Sequence, residues 1–395
     1  MRAAKLITAV RTVSEALSAR TLSAFVHTTM SHQPRVFQNR LTADRPKGPC
    51  YTVVTYNLLA QKYINAGAHH YCPAEHRTWQ SRWVRIKTEL QQYDADILSL
   101  QEVEEPVFLA QLTPLLAHHQ MQGIYRPRQQ GGSGPPEGEA FFFRTSCFEL
   151  LKFRCIRFGD HVAETGPFWQ EVQRREEGAV ITLLKCKATG QTILAGSVHL
   201  YFHPEWPDIK LAQAALLCGQ AADMIKAEGL QVSDTPVMLG GDWNSLWLKY
   251  RPDVYDPEIP LGYLRSGVYA LLSSEHGVVD SSHHEHPATR HHAYKGLGEL
   301  EFNTSQLKLH SAYAAGNEGH EPPLTTQTNS FVGCLDYIWH SRKHWQVTST
   351  LSIPYDVQKG PQPQTVGFRP IPDEDFPSDH LAVGCQVILR ACVDL

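Results

Sequence analysis

The sequence has no run of about 18 consecutive apolar residues, so no segment of it predicts a transmembrane helix. It has no internal repeat with a period of about 20–50 residues, which excludes solenoids and propellers. Its nine cysteines are scattered without a C-x-x-C pair, which disfavours a zinc site or a disulfide scaffold and fits a reducing compartment. With 19% charged and 42% hydrophobic residues, the composition is that of a globular protein.

The formal net charge of −4 is the sum of two segments of opposite sign. Residues 1–48 contain eight basic and two acidic residues, a balance of +6, and the remaining 347 of the 395 residues have a balance of −10. This leader is also rich in Ser, Thr and Ala, and Leu6, Val10, Val13 and Leu17 recur at helical spacing. A basic, acid-poor, amphipathic start is typical of an organellar transit peptide.

The leader therefore predicts a mitochondrial or plastid location, with a disordered tail as the alternative. Met30 offers an internal start that would yield a cytoplasmic form. We expect the fold to begin near Cys50, so that residues 1–48 form the leader and residues 49–395 form a single domain. The acidic balance of that domain argues against a surface that coats a long nucleic-acid strand.

Eight apolar runs bounded by turn residues predict strands. They are residues 52–57, 95–103, 140–144, 179–186, 192–201, 235–244, 334–340 and 381–389. Apolar residues at helical spacing predict helices over residues 78–93 and 208–229. This mixture of strands and helices is typical of a layered α/β fold. Residues 276–300 contain six histidines, which we interpret as a solvated insertion because their spacing does not place ligands on one face.

Polar residues follow the apolar runs at six places along the chain, where a buried strand ends or the next one begins. Burying such a group without a partner is costly, because the group loses its hydration. Six such positions in one chain predict a single site at which they converge. The residues are Asn57, Glu102, His199, Asp242, Asn244, Asp336, Asp379 and His380.

Glu102 and Asn57 supply hard oxygen donors, which suit a Mg²⁺ ion that keeps several waters and binds a substrate phosphate, with Mn²⁺ as a substitute. No cysteine adjoins either residue, which disfavours zinc. A metal beside a phosphate predicts hydrolysis of a phosphodiester by water. His199 and Asn244 can then donate hydrogen bonds to the non-bridging phosphate oxygens as negative charge develops.

The same reaction needs a base for the attacking water. His380 can act as the general base, with Asp379 or Asp336 as the carboxylate that orients its ring. Asp242 can position the water or share the role of the base. From the residue types alone, the choice between the two orienting carboxylates stays open.

Six sequence blocks around these residues resemble the exonuclease–endonuclease–phosphatase superfamily, whose fold is that of deoxyribonuclease I. In chain order they are TYNLLAQ, LQEVEE, SVHLYFHPEWPDIKLAQ, GGDWNS, CLDYIWHS and PSDHLAV. Within the superfamily they resemble the branch of the carbon-catabolite-repressor-type deadenylases, nocturnin, the angel proteins and 2′-phosphodiesterase. The resemblance covers about residues 50–391. It implies a four-layer α/β/β/α sandwich, in which two packed mixed sheets are flanked by helices.

The resemblance also implies a role for each site residue. The matched roles are metal binding by Glu102 with Asn57 beside it, phosphate contact by His199 and Asn244, water orientation by Asp242, general-base action by His380, orientation of that histidine by Asp336, and a metal-side or orienting carboxylate from Asp379. Pro204 and Phe331 match a proline and a phenylalanine that sandwich an adenine base in the deadenylases. Base stacking of this kind is worth about 1–3 kcal/mol per base.

These roles imply a Mg²⁺-dependent phosphodiesterase that acts on the 3′ end of adenylate-containing RNA, as a 3′-5′ exoribonuclease that trims poly(A) and releases 5′-AMP. Two alternatives use the same chemistry on a small adenine nucleotide: removal of the 2′-phosphate of NADP(H), as in nocturnin, and cleavage of 2′,5′-linked oligoadenylate. An inactive RNA-associated scaffold is an alternative from another class, and the complete set of polar site residues argues against it. No protein partner follows from the sequence.

Overall fold

Two mixed β-sheets form the framework of the chain. The computed structural model describes residues 34–40, 48–128, 134–248, 265–290, 299–358, 364–366 and 368–390. The first sheet has seven strands, in the spatial order β1 (Phe37–Asn39), β16 (Trp345–Leu351), β19 (Val383–Leu389), β2 (Cys50–Asn57), β3 (Ile97–Glu104), β5 (Glu137–Arg144) and β4 (Met121–Arg128). The second has six, in the order β12 (Leu309–Ser311), β15 (Asp336–Ser341), β9 (Val237–Asp242), β8 (Thr192–His199), β7 (Gly178–Cys186) and β6 (Phe148–Arg157).

The remaining strands and the helices connect and cover these sheets. Three two-stranded ladders pair β10 (Val278–Val279) with β11 (Phe302–Asn303), β13 (Thr326–Gln327) with β14 (Val332–Gly333), and β17 (Asp356–Gln358) with β18 (Gln364–Val366). The α-helices of the described ranges are α1 (Gln61–Asn65), α2 (Ala74–Arg77), α3 (Trp79–Tyr93), α4 (Glu105–Val107), α5 (Thr113–Ala117), α6 (Pro167–Gln173), α7 (Pro207–Ala227), α8 (Gly267–Ser273), α9 (Pro287–Arg290) and α10 (Ala312–Gly316). A π-helical turn spans Phe108–Leu112, and 3₁₀ turns span Phe158–His161 and Val232–Asp234.

An apolar core lies between the two sheets. Val53 and Phe141 contribute to it from the first sheet, and Val180 and Met238 contribute from the second. Because side chains alternate along a strand, the neighbouring residues of each strand point to the opposite face, where the helices lie. Both faces of each sheet are therefore apolar, which explains the nearly continuous hydrophobic runs in the sequence.

Two further cores join the helices to the outer faces of the sheets. Ile86 and Leu90 of α3 share one core with Val54 of β2, on the outer face of the first sheet. Leu211 of α7 shares the other with Ile181 of β7, on the outer face of the second sheet. The layer order is therefore helix, sheet, sheet, helix, as the resemblance implied. No helix in the described ranges has both the length and the hydropathy of a membrane span.

The first sheet begins earlier in the chain than expected. Phe37 to Asn39 pair with Leu351 to Ser349, on the leader side of the expected boundary after residue 48. Arg35 Nε donates to the Ser352 carbonyl at 2.8 Å, and Arg40 Nε donates to Thr350 Oγ1 at 2.8 Å. Two of the eight basic residues counted in the leader, Arg35 and Arg40, are therefore hydrogen-bonded to the first sheet or to the residue that follows its strand β16. Residues 1–33 contain four basic residues and one acidic residue. The transit-peptide prediction for that part lies outside the described residues.

The histidine-rich segment is less solvated than predicted. His286 is fully buried, and its Nε2 lies 3.0 Å from the Leu300 carbonyl oxygen. Its Nδ1 accepts a hydrogen bond from the backbone N–H of Ala288. Both ring nitrogens are thus bound to backbone groups, which identifies His286 as a structural residue of this loop. His291 and His292 lie outside the described residues.

Candidate active site

Three polar residues lie side by side on adjacent strands of the second sheet. His199 ends β8, Asp242 ends β9 and Asp336 begins β15. In the register of the sheet, Asp242 pairs with His199 on one side and with Asp336 on the other. Directly paired residues point to the same face of a sheet, so the three side chains meet at one edge. All three are buried.

Asp336 holds the imidazole ring of His380. His380 Nδ1 lies 2.8 Å from Asp336 Oδ2, and the hydroxyl of Thr325 donates to the same carboxylate oxygen at 2.5 Å. The backbone N–H of His380 donates to Ser378 Oγ at 3.2 Å, and that hydroxyl donates to the Asn57 carbonyl at 2.7 Å. Both the ring and the backbone of His380 are therefore positioned, and its Nε2 faces the site.

The surroundings of His380 favour its charged form. Burial disfavours the imidazolium, but the carboxylates of Asp336 and Asp242 outweigh burial and raise the pKa of His380 well above its usual range. Of the two carboxylates that the sequence left open as partners of this ring, the structure puts Asp336 in hydrogen-bonding contact with it. Asp379 instead bonds to a different histidine, described below.

The carboxylate of Asp242 lies at the centre of the site. Its Oδ2 is 3.6 Å from Nε2 of His199 and 3.6 Å from Nε2 of His380. Asn57 Nδ2 donates to Oδ2 at 3.0 Å, and the backbone N–H of Asn244 donates to Oδ1 at 2.9 Å. Burial raises the pKa of Asp242 to about 6. Since 3.6 Å exceeds a hydrogen bond, a water or phosphate oxygen can lie within reach of both a histidine and this carboxylate.

His199 and Asn244 are placed as neutral groups beside Asp242. Burial lowers the pKa of His199 well below its usual range, and the charge of Arg128 lowers it further. The His199 Nδ1 is buried without a hydrogen-bond partner among the described residues. Asn244 has a left-handed backbone, with φ of 47°, and its Nδ2 donates to the Leu200 carbonyl at 3.0 Å. An amide nitrogen carries two hydrogens, so one remains to contact a phosphate oxygen.

Glu102 enters the site from the first sheet through an irregularity in β3. The pairing with β5 shifts register between Leu100 and Val103, and Glu102 has a left-handed backbone with φ of 54°. Such a bulge turns a side chain away from its regular direction and is a strained conformation for glutamate. Asn57 Nδ2 donates to Glu102 Oε1 at 3.0 Å, and the backbone N–H of Ala60 donates to Oε2 at 3.0 Å. The Asn57 amide thus joins Glu102 to Asp242, across the two sheets.

Asp379 is a second carboxylate close to Glu102. Burial, and then the negative charge of Asp379, raise the pKa of Glu102 to about 7. Asp379 Oδ2 lies 3.0 Å from His69 Nε2. Burial disfavours the charged form of Asp379, but the His69 hydrogen bond and the charge of His380 hold its pKa below the usual value. Its other oxygen, Oδ1, is buried without a partner among the described residues.

These groups fit a hard divalent cation. Glu102 and Asp379 are two mutually repelling carboxylates, and carboxylate oxygens are ligands that Mg²⁺ prefers. Asn57 donates from Nδ2 to Glu102, while its amide oxygen accepts from the backbone N–H of Leu59 and keeps one lone pair for a cation. The ligand atoms of Asp242, Asp336 and His380 also lie within 4.8 Å of one another. We interpret these three residues as a group that transfers protons and does not bind the metal, because Asp336 Oδ2 and His380 Nδ1 are hydrogen-bonded to each other.

Three residues that the sequence analysis missed support the site. Arg82 of α3 is fully buried, and it donates from Nε to the Pro377 carbonyl at 2.5 Å and from Nη2 to the Leu59 carbonyl at 2.6 Å. It therefore fastens together the loops that follow Asn57 and precede His380. Thr325 and His69 hold Asp336 and Asp379 as described above. The one available signal was the position of Arg82 in the first turn of α3, at helical spacing with the apolar Trp79 and Ile86.

The two residues expected to sandwich adenine lie on loops at the same edge of the second sheet. Pro204 is exposed on the loop that follows β8, and Phe331 precedes the strand that leads into Asp336. The Phe331 side chain is 36% exposed. Its ring packs over Gly333, where an added Cβ would lie 3.0 Å from the Phe331 Cζ. The adenine sandwich itself stays a prediction.

Known proteins resemble this chain in sequence over most of its length. Residues 54–380 match the endonuclease/exonuclease/phosphatase family. The CCR4-Not complex 3′-5′-exoribonuclease subunit Ccr4 of Phaeosphaeria nodorum is 26% identical over 393 residues, which cover 87% of this chain and 60% of the relative. The chain spans about half the length of the curated relatives it matches.

Solved structures share the fold. The human nocturnin catalytic domain superimposes with a TM-score of 0.59 at 23% identity, and the match covers 90% of this chain and 98% of that one. ANGEL2, a 2′,3′-cyclic phosphatase, superimposes with a TM-score of 0.66 at 20% identity, with the same coverage of both chains. The family match extends over more than four-fifths of the sequence and includes every residue of the site. This chain belongs to the endonuclease/exonuclease/phosphatase family of hydrolases.

Proposed function

We propose that the protein is a Mg²⁺-dependent 3′-5′ exoribonuclease that removes adenylates from RNA 3′ ends and releases 5′-AMP. The main support for this proposal is that two groups of polar side chains lie together at one edge of the sheets. One is the cluster of Asp242, Asp336 and His380, and the other is the pair of carboxylates Glu102 and Asp379. The similarity to Ccr4 exoribonucleases supports RNA as the substrate.

The residues of the site can carry out an in-line attack by water. A Mg²⁺ ion held by Glu102, Asp379 and Asn57 would neutralise charge on the scissile phosphate. A water that contacts both Asp242 Oδ2 and His380 Nε2 can pass its proton to the Asp242 carboxylate, or to His380 when that ring is neutral, as it attacks phosphorus. His199 Nε2 and the free amide hydrogen of Asn244 can bind the non-bridging oxygens as negative charge grows on them.

Smaller adenine nucleotides are alternative substrates because the phosphate chemistry would be unchanged. The 2′-phosphate of NADP(H) and 2′,5′-linked oligoadenylate are two of them. ANGEL2 is a 2′,3′-cyclic phosphatase, so adenosine 2′,3′-cyclic phosphate is a third. The location of the protein in a mitochondrion or plastid remains a proposal from the leader sequence, with a cytoplasmic form as the alternative.

A substrate panel tests the proposal directly. The full-length chain is assayed on oligo(A), mixed-sequence RNA, 2′,5′-oligoadenylate, NADPH and adenosine 2′,3′-cyclic phosphate, each with Mg²⁺ and with EDTA. We expect oligo(A) to have the highest kcat/KM, 5′-AMP to be its product, and EDTA to abolish turnover. A higher kcat/KM on one of the small nucleotides would show that this nucleotide, and not RNA, is the preferred substrate. Turnover in EDTA would contradict the proposed dependence on Mg²⁺.

Substitution of Phe331 by alanine tests the adenine sandwich. Because this ring is part of the slot expected to select adenine, Phe331→Ala is expected to lower kcat/KM on oligo(A) about tenfold, in line with the value of one stacked base. The loss on oligo(U) is expected to be smaller. Leu109, which is 53% exposed, offers a control, since Leu109→Ala removes an exposed apolar side chain elsewhere on the surface. Equal losses on both oligonucleotides would contradict selection by this slot.

A further inference from the structure

The loop between β8 and α7 carries a cluster of aromatic side chains. Phe202 is 59% exposed, which is the highest value for a large hydrophobic side chain in the described part of the molecule. Its ring centroid lies 5.2 Å from that of Tyr201, in an edge-to-face arrangement, and 5.8 Å from that of His203. The loop thus presents one exposed aromatic face that is supported by its two neighbours in the chain.

This loop is fixed to the active site. The buried Lys210 of α7 donates from Nζ to the Asn244 carbonyl at 2.8 Å and to the Phe202 carbonyl at 3.4 Å. The backbone N–H of Tyr201 donates to Gln213 Oε1 at 2.8 Å. One lysine therefore holds the backbone of Phe202 and that of a phosphate-facing residue at a fixed separation.

The two ends of the loop are also held together. The guanidinium carbon of Arg175 lies 4.4 Å from the ring centroid of Tyr201 and 5.5 Å from that of Trp206, which is the range of a cation–π contact. Arg290 of α9 donates to the Glu205 carbonyl at 3.1 Å. A loop held in this way loses little conformational entropy when a flat ligand stacks on it.

The position of the loop identifies the ligand. It begins directly after His199 and Leu200, at the edge of the sheet where the scissile phosphate would lie. The chain has an excess of acidic residues, so contacts to several phosphates contribute little to holding a strand here. Stacking of bases on aromatic rings does not need positive charge and does not depend on the base.

We propose that Phe202 is a stacking platform for a second nucleobase of the substrate, next to the base that Pro204 and Phe331 are expected to hold. This inference rests on the proposed function, because it takes an oligonucleotide as the substrate. With this platform, efficient turnover requires a substrate that has at least two bases. It accepts any base, in contrast to the adenine slot.

Two kinetic substrates and one binding assay test the platform in the full-length chain. The substrates are penta-adenylate, which has several bases, and the p-nitrophenyl ester of adenosine 5′-phosphate, which has one. Phe202→Ala is expected to lower kcat/KM on penta-adenylate about tenfold and to leave the one-base ester within about twofold. Phe202→Trp is expected to retain both activities, whereas Phe202→Leu keeps the apolar contact and loses the stacking.

The binding assay separates this inference from the proposed function. Fluorescence anisotropy with phosphorothioate-linked penta-adenylate measures Kd without turnover, and Phe202→Ala is expected to raise it about tenfold. If the wild-type chain binds this probe but does not turn over oligo(A), the proposed activity is wrong. The Kd values of the wild type and of Phe202→Ala then still test the stacking platform.

Three outcomes would overturn the platform. They are an unchanged Kd in Phe202→Ala, a Phe202→Leu variant as tight as the wild type, and an equal loss on the one-base ester. The last would mean that Phe202 acts through Asn244. Leu151→Ala, at a side chain 50% exposed on the edge strand β6, is the control for general surface effects.

Discussion

Replacement of Glu102 by glutamine is expected to lower kcat/KM on oligo(A) by about three orders of magnitude or more, since it removes a charged ligand of the expected metal. The amide keeps the size of the side chain, and its one oxygen can still accept from Asn57 or from the backbone N–H of Ala60, so the fold should be unchanged. Differential scanning fluorimetry provides a second measurement. Mg²⁺ should raise the Tm of the wild type by binding the native state, and this increase should be absent in Glu102→Gln.

The same variant tests the repulsion between the two carboxylates. In EDTA, burial and the negative charge of Asp379 both disfavour the charged form of Glu102, and glutamine removes that charge. We therefore expect the Tm of Glu102→Gln in EDTA to be equal to or higher than that of the wild type, while its activity is lost. Glu105→Gln, with the same change of charge three residues away, should behave as the wild type in both assays. Activity within tenfold of the wild type in Glu102→Gln would exclude Glu102 as a metal ligand.

The central strands of the fold were predictable from the sequence because both of their faces are covered. All eight predicted strands and both predicted helices are present in the structure, with shifts of a few residues at their ends. The sequence analysis missed the four edge strands of the two sheets, β1, β4, β6 and β12, and one interior strand, β16. An edge strand is partly exposed and carries charged residues, so its sequence lacks a continuous apolar signal. β6 shows this most clearly, because four of its ten residues are exposed.

The positions of the site residues at strand ends were also predictable, whereas their supports were not. Asp242 and Asp336 lie next to each other because the sheet pairs their strands, and apolar runs indicate where those strands end. His69, Thr325 and Arg82 come from loops and a helix, and their contacts depend on how distant segments pack. The direction of Glu102 depends on a backbone irregularity that no residue type near it indicates.

Replacement of Asp336 by asparagine is expected to lower kcat by about three to four orders of magnitude, with KM nearly unchanged. We expect a decrease in kcat of this magnitude because the substitution neutralises the carboxylate that holds a catalytic imidazole. Asp336 does not reach the phosphate in the proposed arrangement, so it acts by positioning His380 and by stabilising its charged form. The pKa of His380 should therefore fall towards its usual value in Asp336→Asn. A titration of the histidine followed by NMR measures that change, which a purely structural defect would not produce.

A matched series separates the Asp336–His380 pair from general effects. Thr325→Val removes the hydroxyl that donates to the same Asp336 oxygen and is expected to cost about tenfold in kcat. Asp356→Asn makes the same change of charge at an exposed residue of β17 and should be neutral. If Asp336 and His380 act as a unit, the double variant Asp336→Asn/His380→Gln should be no slower than His380→Gln alone. Additive losses in that double variant would mean that the two residues contribute to the reaction separately, and the pair would have to be abandoned as the base of the reaction.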